Sequence, residues 1–388
     1  MRRTIEEMTA DPREKLVIDV RSPEDYERET YPEALNIYWE EFDRHAEALI
    51  GEGRMKKDQP VYLLCYTGAR SDEISGRYAE QGYEIYSVEG GYHSYIRLKM
   101  KELLTEAETS DEQCREAERC LVKSMRRKTW TPFIRAINQY ELIREGDRIA
   151  VCISGGKDSM LMAKLFQELY RHGKRNFEPV YLTMDPGYNE LNHKMVLDNA
   201  KLLHIPLTEF RSEIYNIVAK EGDSPCYLCA RMRRGALYSH ARELGCNKIA
   251  LGHHYDDVIE TILMGMLYGG QVQTMMPKLH SQNFPGMELI RPLYLVREED
   301  IRHWAFKNRL HFIQCACRFT ENCASCGGAG KGSKRADVKA LIKTLQAENP
   351  YTEANIFKSV ENVNLSTVIA YKKDGKVHHF LDDYENGG

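Results

Sequence analysis

The sequence predicts an α/β protein with a small parallel-sheet domain in front and a larger, doubly wound domain behind it. Three observations carry that prediction. The chain has 388 residues, more than one ordinary domain holds. Short apolar runs rich in β-branched residues alternate with stretches of helical spacing along both halves. Several of those runs stop abruptly in polar loops containing glycine, as strands do where a parallel sheet hands over to its next helix.

In the front part, "KLVIDVRS" reads as a buried strand and "PVYLLCYTGARS" as a strand ending in a glycine-containing loop. "DEISGRYAEQGY" has helical spacing. "EIYSVEGGYHSYIR" reads as a strand, a Gly-Gly turn and the start of a helix. This domain spans residues 1–105. Residues 106–120, "EAETSDEQCREAERC", are polar and highly charged and read as a linker or an exposed helix. The second domain spans 121–345. There "LVKSMRRKTWTPFIRAINQYELI" is helical, "GDRIAVCISGG" is strand then loop, and "FEPVYLTMD" and "NKIALGHHYDD" supply two more strands. Residues 346–388 form a helical or extended tail.

Composition is ordinary for a globular chain, with 42% hydrophobic and 29% charged residues. The start, "MRRTIEEMTADPREK", lacks an apolar core, and no apolar run reaches the about 18 residues of a membrane span. A cytoplasmic location without a membrane partner is therefore expected. Charge is uneven. Residues 1–108 hold 15 of the 54 basic and 24 of the 58 acidic residues, so the front is at −9 and the remainder at +5. The rear half has the sign that suits a polyanion. The eleven cysteines include two clusters, Cys226/Cys229 and Cys315/Cys317/Cys323/Cys326. In a cytoplasmic chain such clusters point to metal or sulfur chemistry more than to disulfides.

The chemistry is densest at Ser154-Gly155-Gly156-Lys157-Asp158-Ser159. A glycine turn between the strand "RIAVCI" and the helix "MLMAKLFQEL" brings backbone N–H groups and a helix N-terminus up to a phosphate. Lys157 and the hydroxyls of Ser154 and Ser159 add donors. The spacing is not that of a Walker A loop. It resembles the PP-loop ATP pyrophosphatases, of the adenine nucleotide alpha hydrolase-like fold. The resemblance implies a loop that cradles the β,γ-pyrophosphate while a substrate attacks the α-phosphorus.

Downstream, "PCYLCARMRRG" and "GHHYDDVIET" complete a set whose order and spacing resemble the tRNA 2-thiocytidine synthetase family over about residues 120–345. That resemblance implies a tRNA substrate, ATP, Mg²⁺ and a [4Fe-4S] cluster held by three cysteines, with an open iron that carries sulfur. Cys226 and Cys229 are two of the ligands. The family's later P-C-x-x-C is replaced here by "FIQCACRFTENCASCGGAGKGSKR". Its context favours Cys315 as the third ligand, with Cys317 next and Cys323 and Cys326 still open. The cysteines left over suit a zinc site, and Cys114, Cys120, Cys152 and Cys246 suit buried thiols. The resemblance also places Asp185, Gly252 and His253 at the ATP site, and Asp256 and Asp257 as the acids that hold Mg²⁺ or assist proton transfer. Arg231, Arg233 and Arg234 suit RNA phosphate or a solvated basic face equally. Arg126, Arg127 and Lys128, with Trp130 nearby, and Lys331, Lys334 and Arg335 are further basic spots.

In the front domain, Cys65-Tyr66-Thr67-Gly68-Ala69-Arg70 wraps a strand-end cysteine in backbone amides beside an arginine, which favours a thiolate or persulfide. With "IDVRSPEDYERETYPEALNI" and "VEGGYHSYI", this loop resembles the rhodanese family over most of residues 1–105. Four residues between Cys65 and Arg70, one fewer than in the related phosphatases, suit sulfur better than phosphate. The resemblance implies Cys65 and Arg70 as catalytic residues, and a cysteine desulfurase or a sulfane sulfur compound as donor.

The joint expectation is ATP-dependent tRNA thiolation. A pyrimidine C2 oxygen is adenylated, and sulfur then displaces AMP. The resemblance favours 2-thiocytidine in the anticodon loop and a homodimer. A 2-thiouridine synthase of the neighbouring branch, and a small-molecule thiolating or sulfur-relay enzyme, stay open at this level.

Overall fold

The structure, a computed structural model, describes residues 1–105, 107–188, 190–212, 214, 225–312, 334–382 and 384. It falls into two compact units, Met1–His254 with Pro277–Lys331, and Tyr255–Met276 with Gly332–Gly388.

The first unit holds two sheets. The front sheet is built from β1 (Arg2–Arg3), α1 (Ile5–Ala10), β2 (Leu16–Asp19), α2 (Pro23–Arg28), β3 (Leu35–Asn36), α3 (Phe42–Gly51), β4 (Val61–Leu64), α4 (Ala69–Glu80), β5 (Ile85–Val88) and α5 (Gly91–Thr105). Its strands are all parallel, in the order β1-β5-β4-β2-β3. The sequence starts its first helices with recognisable caps. Thr4 and Glu7 form a reciprocal capping box at α1, and Ser22 caps α2 with Pro23 behind it. β4 and β5 are buried throughout, as central parallel strands are, and their apolar residues join Ile18, Phe42, Ile74 and Tyr78 in one core.

α6 (Ala107–Arg119) leads on to α7 (Trp130–Gln139) and the second sheet. That sheet takes β6 (Arg148–Ile153), β7 (Glu178–Asp185), β8 (Leu207–Arg211) and β9 (Lys248–Ala250), with α8 (Lys157–His172), α9 (Glu190–Leu202) and α10 (Pro225–Glu243) between them. The chain then passes through α11 (Tyr255–Gly269) of the second unit. It returns as β10 (Lys278–His280), β11 (Glu288–Ile290) and α12 (Glu298–Lys307). The order is β10-β11-β9-β6-β7-β8, parallel except for β10 against β11. β6 lies where the winding reverses, with β7 on one side and β9 on the other. A crevice opens at such a reversal, beyond the carboxyl ends of the strands, and is the usual ligand site of this architecture. The doubly wound expectation therefore holds, and it puts the Ser154–Ser159 loop at the switch point.

α6 is a helix, and its described side chains do not all face solvent. Gln113, Cys114 and Ala117 are buried while Asp111, Glu112, Arg115 and Glu116 are exposed. Three bonds fix it to the second domain. Gln113 Nε2 donates to the Asn308 carbonyl at 2.8 Å, Trp304 Nε1 donates to the Ala117 carbonyl at 3.1 Å, and Lys164 Nζ reaches Glu118 at 2.6 Å. α5 packs on α9, so the two sheets belong to one packed body.

The second unit comprises α11, α13 (Lys334–Glu348), α14 (Thr352–Ser359) and an antiparallel hairpin of β12 (Ala370–Lys373) and β13 (Lys376–His379). α11 packs on both α13 and α14. Tyr255 stacks on Phe357 at 4.7 Å. The sequence reading of the tail as helical or extended is thus resolved into a short helix followed by a hairpin. Among the described residues no helix is long and apolar enough to cross a membrane.

Candidate active sites

The phosphate loop follows β6 directly. Gly155 has a φ of 84°, which a side chain would oppose, and it turns the chain into α8. The Ser159 hydroxyl donates to the Gly156 carbonyl at 2.9 Å and accepts the Ser154 N–H at 3.1 Å, so the loop is closed on itself. Gly156 stands at the N-cap of α8 and offers no side chain to its first-turn amides. Those amides and the helix dipole are what an anion finds there. From the neighbouring strand, Gly252 approaches so closely that a Cβ would lie 3.2 Å from Ser159 N and 3.3 Å from Asp158 C. Asp185 ends β7 alongside, and its Oδ1 accepts the N–H groups of Gly187 and Tyr188 at 2.9 and 2.8 Å. Loop, Asp185 and Gly252 thus come from three adjacent strands, β7, β6 and β9.

Lys157 is held by two carboxylates, Asp158 at 3.1 Å and Glu298 at 3.2 Å. Burial opposes its charge, yet Asp158 and Glu298 together raise its pKa above the usual lysine value. The lysine therefore stays cationic, poised for a polyphosphate. Glu298 was not legible in the sequence as part of this site. It opens α12 and reads there only as a first-turn acid. His254, which follows the expected His253, lies 3.9 Å from Asp158.

The other expected residues are placed as follows. Asp256 and Asp257 fall in the first turn of α11, in the second unit. Asp257 is bound there by Arg335 at 2.7 Å, with Glu260 at 3.6 Å from the same guanidinium. Lys334 lies over the Tyr268 ring at 4.9 Å. Arg231 and Arg234 are exposed on α10, and Arg233 is half-buried. Arg126, Arg127 and Lys128 are exposed in the turn before α7, where Lys128 pairs with Asp300 at 3.0 Å. The side chain of Cys226, and Cys315, Cys317, Cys323, Cys326 and Lys331 entirely, lie outside the described residues. Cys229 is described. It is half-exposed near the start of α10, whereas Cys65, Cys114, Cys120, Cys152 and Cys246 are buried. The donor chemistry thus fits an iron–sulfur cluster.

Among the described residues, one further group brings metal-type donors together. Atoms of Asp185, His193 and Glu209 lie within 4.8 Å of one another. His193 and Glu209 contact each other directly, and Arg211 stands 3.7 Å from Asp185.

In the front domain, Cys65 is 2% exposed at the end of β4. Its Sγ accepts the Gly68 N–H at 3.0 Å and lies 3.3 Å from the Ser71 hydroxyl, which is 2.8 Å from the Ser87 hydroxyl. The Arg70 guanidinium lies over the Trp39 ring at 4.3 Å and is 3.4 Å from Glu73. Ser71, Ser87 and Trp39 were missed in the sequence. Trp39 is 26 residues from Cys65, and no local pattern connects them. Beneath the loop, Arg21 and Asp19 form a buried pair at 2.6 Å, and Arg21 lies 3.3 Å from the Tyr92 ring. Tyr92 in turn donates its N–H to the Cys65 carbonyl at 2.7 Å.

Comparison with known proteins finds two families along the chain. A family described as a PP-loop domain matches residues 129–318, and one described as a rhodanese-like domain matches residues 2–98. The tRNA-cytidine(32) 2-sulfurtransferase of Coxiella burnetii is 36% identical over 244 residues, 61% of this chain and 90% of that protein. The protein of the same name from Alcanivorax borkumensis is 36% identical over 246 residues, 63% of this chain and 82% of that protein. Among solved structures, the U34-tRNA thiolase NcsA from Methanococcus maripaludis, with its [4Fe-4S] cluster, aligns with a TM-score of 0.48 at 20% identity. It covers 60% of this chain and 76% of its own.

Proposed function

The chain belongs to the tRNA-cytidine(32) 2-sulfurtransferase family, and from that premise we propose that it thiolates a tRNA cytidine at C2 with sulfur carried by its own front domain. It is a tRNA sulfurtransferase with a PP-loop domain and a rhodanese-like domain. The observation that carries the mechanism is the position of the Ser154–Ser159 loop at the sheet's switch point, with Lys157 kept charged by Asp158 and Glu298.

ATP binds with its β,γ-phosphates on the first-turn amides of α8 and on Lys157. The C2 oxygen of the base attacks the α-phosphorus, and pyrophosphate leaves. C2 is now joined to AMP, a good leaving group. In the front domain, the Cys65 thiolate attacks the outer sulfur of a sulfane donor and keeps that sulfur as a persulfide, while the rest of the donor departs. The Gly68 N–H and the Ser71 hydroxyl hold Cys65 Sγ in place for that attack. Sulfur delivered to C2 expels AMP. Because a sulfane sulfur enters and a thiocarbonyl results, a thiol reductant supplies two electrons per turnover. Cys226, Cys229 and Cys315 would hold a [4Fe-4S] cluster, which supplies an iron site for sulfur. Arg231 and Arg234 suit tRNA phosphate.

The test is an anaerobic reaction of reconstituted protein with ATP, Mg²⁺, a persulfide source and unmodified tRNA, followed by nucleoside mass spectrometry. Thiocytidine is the expected product. Thiouridine would keep the chemistry and change the base. No thiolated nucleoside, from folded protein that carries iron, would overturn the tRNA reading in favour of a small-molecule acceptor. Cys65→Ala should abolish turnover with a sulfane donor and spare turnover with free sulfide.

A further inference from the structure

Glu29 follows α2 in the front domain and makes two kinds of connection. Its main-chain carbonyl accepts from Arg21 at 2.6 Å, and Arg21 leads through Tyr92 to the Cys65 carbonyl. Its side chain faces the second domain as well as its own. Glu29 Oε2 lies 2.6 Å from His311 Nδ1, across 282 residues of sequence, and Oε1 lies 3.9 Å from Lys99. The pair is sheltered, with His311 11% and Glu29 32% exposed. Burial works against the Glu29 charge, and contact with His311 still brings its pKa below the usual glutamate value. His311 stands four residues beyond α12, and the first residue of α12 is Glu298, which holds Lys157 of the phosphate loop. The scaffold behind Cys65 and the scaffold behind the phosphate loop therefore meet at Glu29 and His311. Between the domains runs α6, a helix bonded into the second domain rather than a loose tether.

We propose that Glu29 and His311 are positioning residues that dock the sulfur-carrying front domain on the nucleotide-activating domain in one orientation. The docking serves sulfur delivery from Cys65 only if the function proposed above is right, but the contact itself stands independently of that reading. A docked donor meets the activated base at a fixed distance, where a freely tethered one would sample many orientations. Neither residue belongs to the Cys65 loop or the phosphate loop.

The experiment uses full-length protein in four forms: wild type, Glu29→Lys, His311→Glu, and the double charge swap. Hydrogen exchange on α5 and α9 reads the docking. Transfer of isotope-labelled sulfur from loaded Cys65 to tRNA reads its consequence, and thiosulfate:cyanide sulfurtransfer reports that the Cys65 loop is intact. Each single variant should speed exchange on α5 and α9 and slow labelled transfer about tenfold. Cyanide sulfurtransfer and free-sulfide thiolation should stay at the wild-type level. The double swap should recover both protection and transfer. Unchanged exchange in both single variants overturns the docking role, whatever the thiolation assays give. Faster exchange with undiminished transfer overturns the positioning role. A wild type that thiolates tRNA from neither donor refutes the proposed function instead, and the exchange measurements with charge-swap rescue then decide the docking alone.

Discussion

Gly91→Ala tests how tightly the Cys65 loop is built. Gly91 has a φ of +55°, and a Cβ placed on it would lie 2.2 Å from the Cys65 carbonyl oxygen, 2.8 Å from Tyr66 C and 2.9 Å from Thr67 N. All three atoms are backbone of the Cys65 loop, so no side chain can swing away. Ordinary contact lies at about 3.5 Å, so the loop must retreat by more than about 1 Å. A left-handed conformation costs an L-residue about 1–2 kcal/mol, and overpacking adds about 1–3 kcal/mol. The total of about 2–5 kcal/mol is a large part of the about 5–15 kcal/mol that holds a domain. The front domain melt should fall by about 10 °C or more. The retreat also pulls the Cys65 carbonyl from the Tyr92 N–H, so sulfur acceptance should fall about a hundredfold even below the melt. Thiosulfate:cyanide kinetics and thermal unfolding read the two effects. Gly76→Ala is the control. Its Cβ meets nothing within 4 Å inside α4, and helix propensity should add about 0.5–1 kcal/mol of stability. A Gly91→Ala protein with wild-type kinetics and melt would refute the reasoning.

Other outcomes follow from the same geometry. Gly252→Ala brings a methyl group to 3.2 Å from Ser159 N, so the phosphate loop must shift by a few tenths of an ångström. The ATP KM should rise about tenfold with little change in melt, as steady-state kinetics would show. Lys164 has no exposed surface and donates to Glu118, Gln167 and the Leu203 carbonyl at 2.6, 2.7 and 2.8 Å. Lys164→Met should cost about 3 kcal/mol by leaving buried acceptors unpaired, visible as a lower denaturant midpoint. Burial pushes the Cys152 thiol up to about 12 from an ordinary 9.0. In iron-free protein at pH 8, alkylation and mass spectrometry should find Cys229 modified and Cys152 spared. An unfolded Cys152 ionises first, so the native state loses stability as pH rises from 9.0 towards about 12. The loss reaches at most about 4 kcal/mol, read by pH-dependent unfolding.

Much of the scaffold was legible because it is locally encoded. "RIAVCISGGKDS" announces a strand, a turn and an anion site in twelve consecutive residues, and β6, Gly155 and α8 lie where that reading expects them. The two sheets follow from strand runs that are apolar because parallel strands are covered on both faces. Long-range polar pairs were not legible. Lys157 finds Glu298, Glu29 finds His311 and Lys164 finds Glu118, and each partner reads on its own as an unremarkable surface charge. α6 is an intermediate case. The dense charge of residues 106–120 suggested a linker or an exposed helix, yet Gln113, Cys114, Ala117, Cys120 and Leu121 recur at the spacing of one buried stripe. Counting that stripe would have shown a helix packed along its length.

That packed helix changes what covalent linkage does for this chain. A flexible tether raises the encounter frequency of two domains and tolerates many arrangements. Here α6 is bonded to Trp304 and Asn308, and α12 carries those residues between Glu298 at one end and His311 just past the other. Ten helical residues make a rod of about 15 Å. The partner of the phosphate-loop lysine and the contact with the front domain thus lie at and just past opposite ends of one short helix. Phosphates bound at the loop would compete with Glu298 for Lys157. The Lys157–Glu298 pair and the Glu29–His311 contact therefore share α12 as a common support, which is why the second contact is the place to perturb.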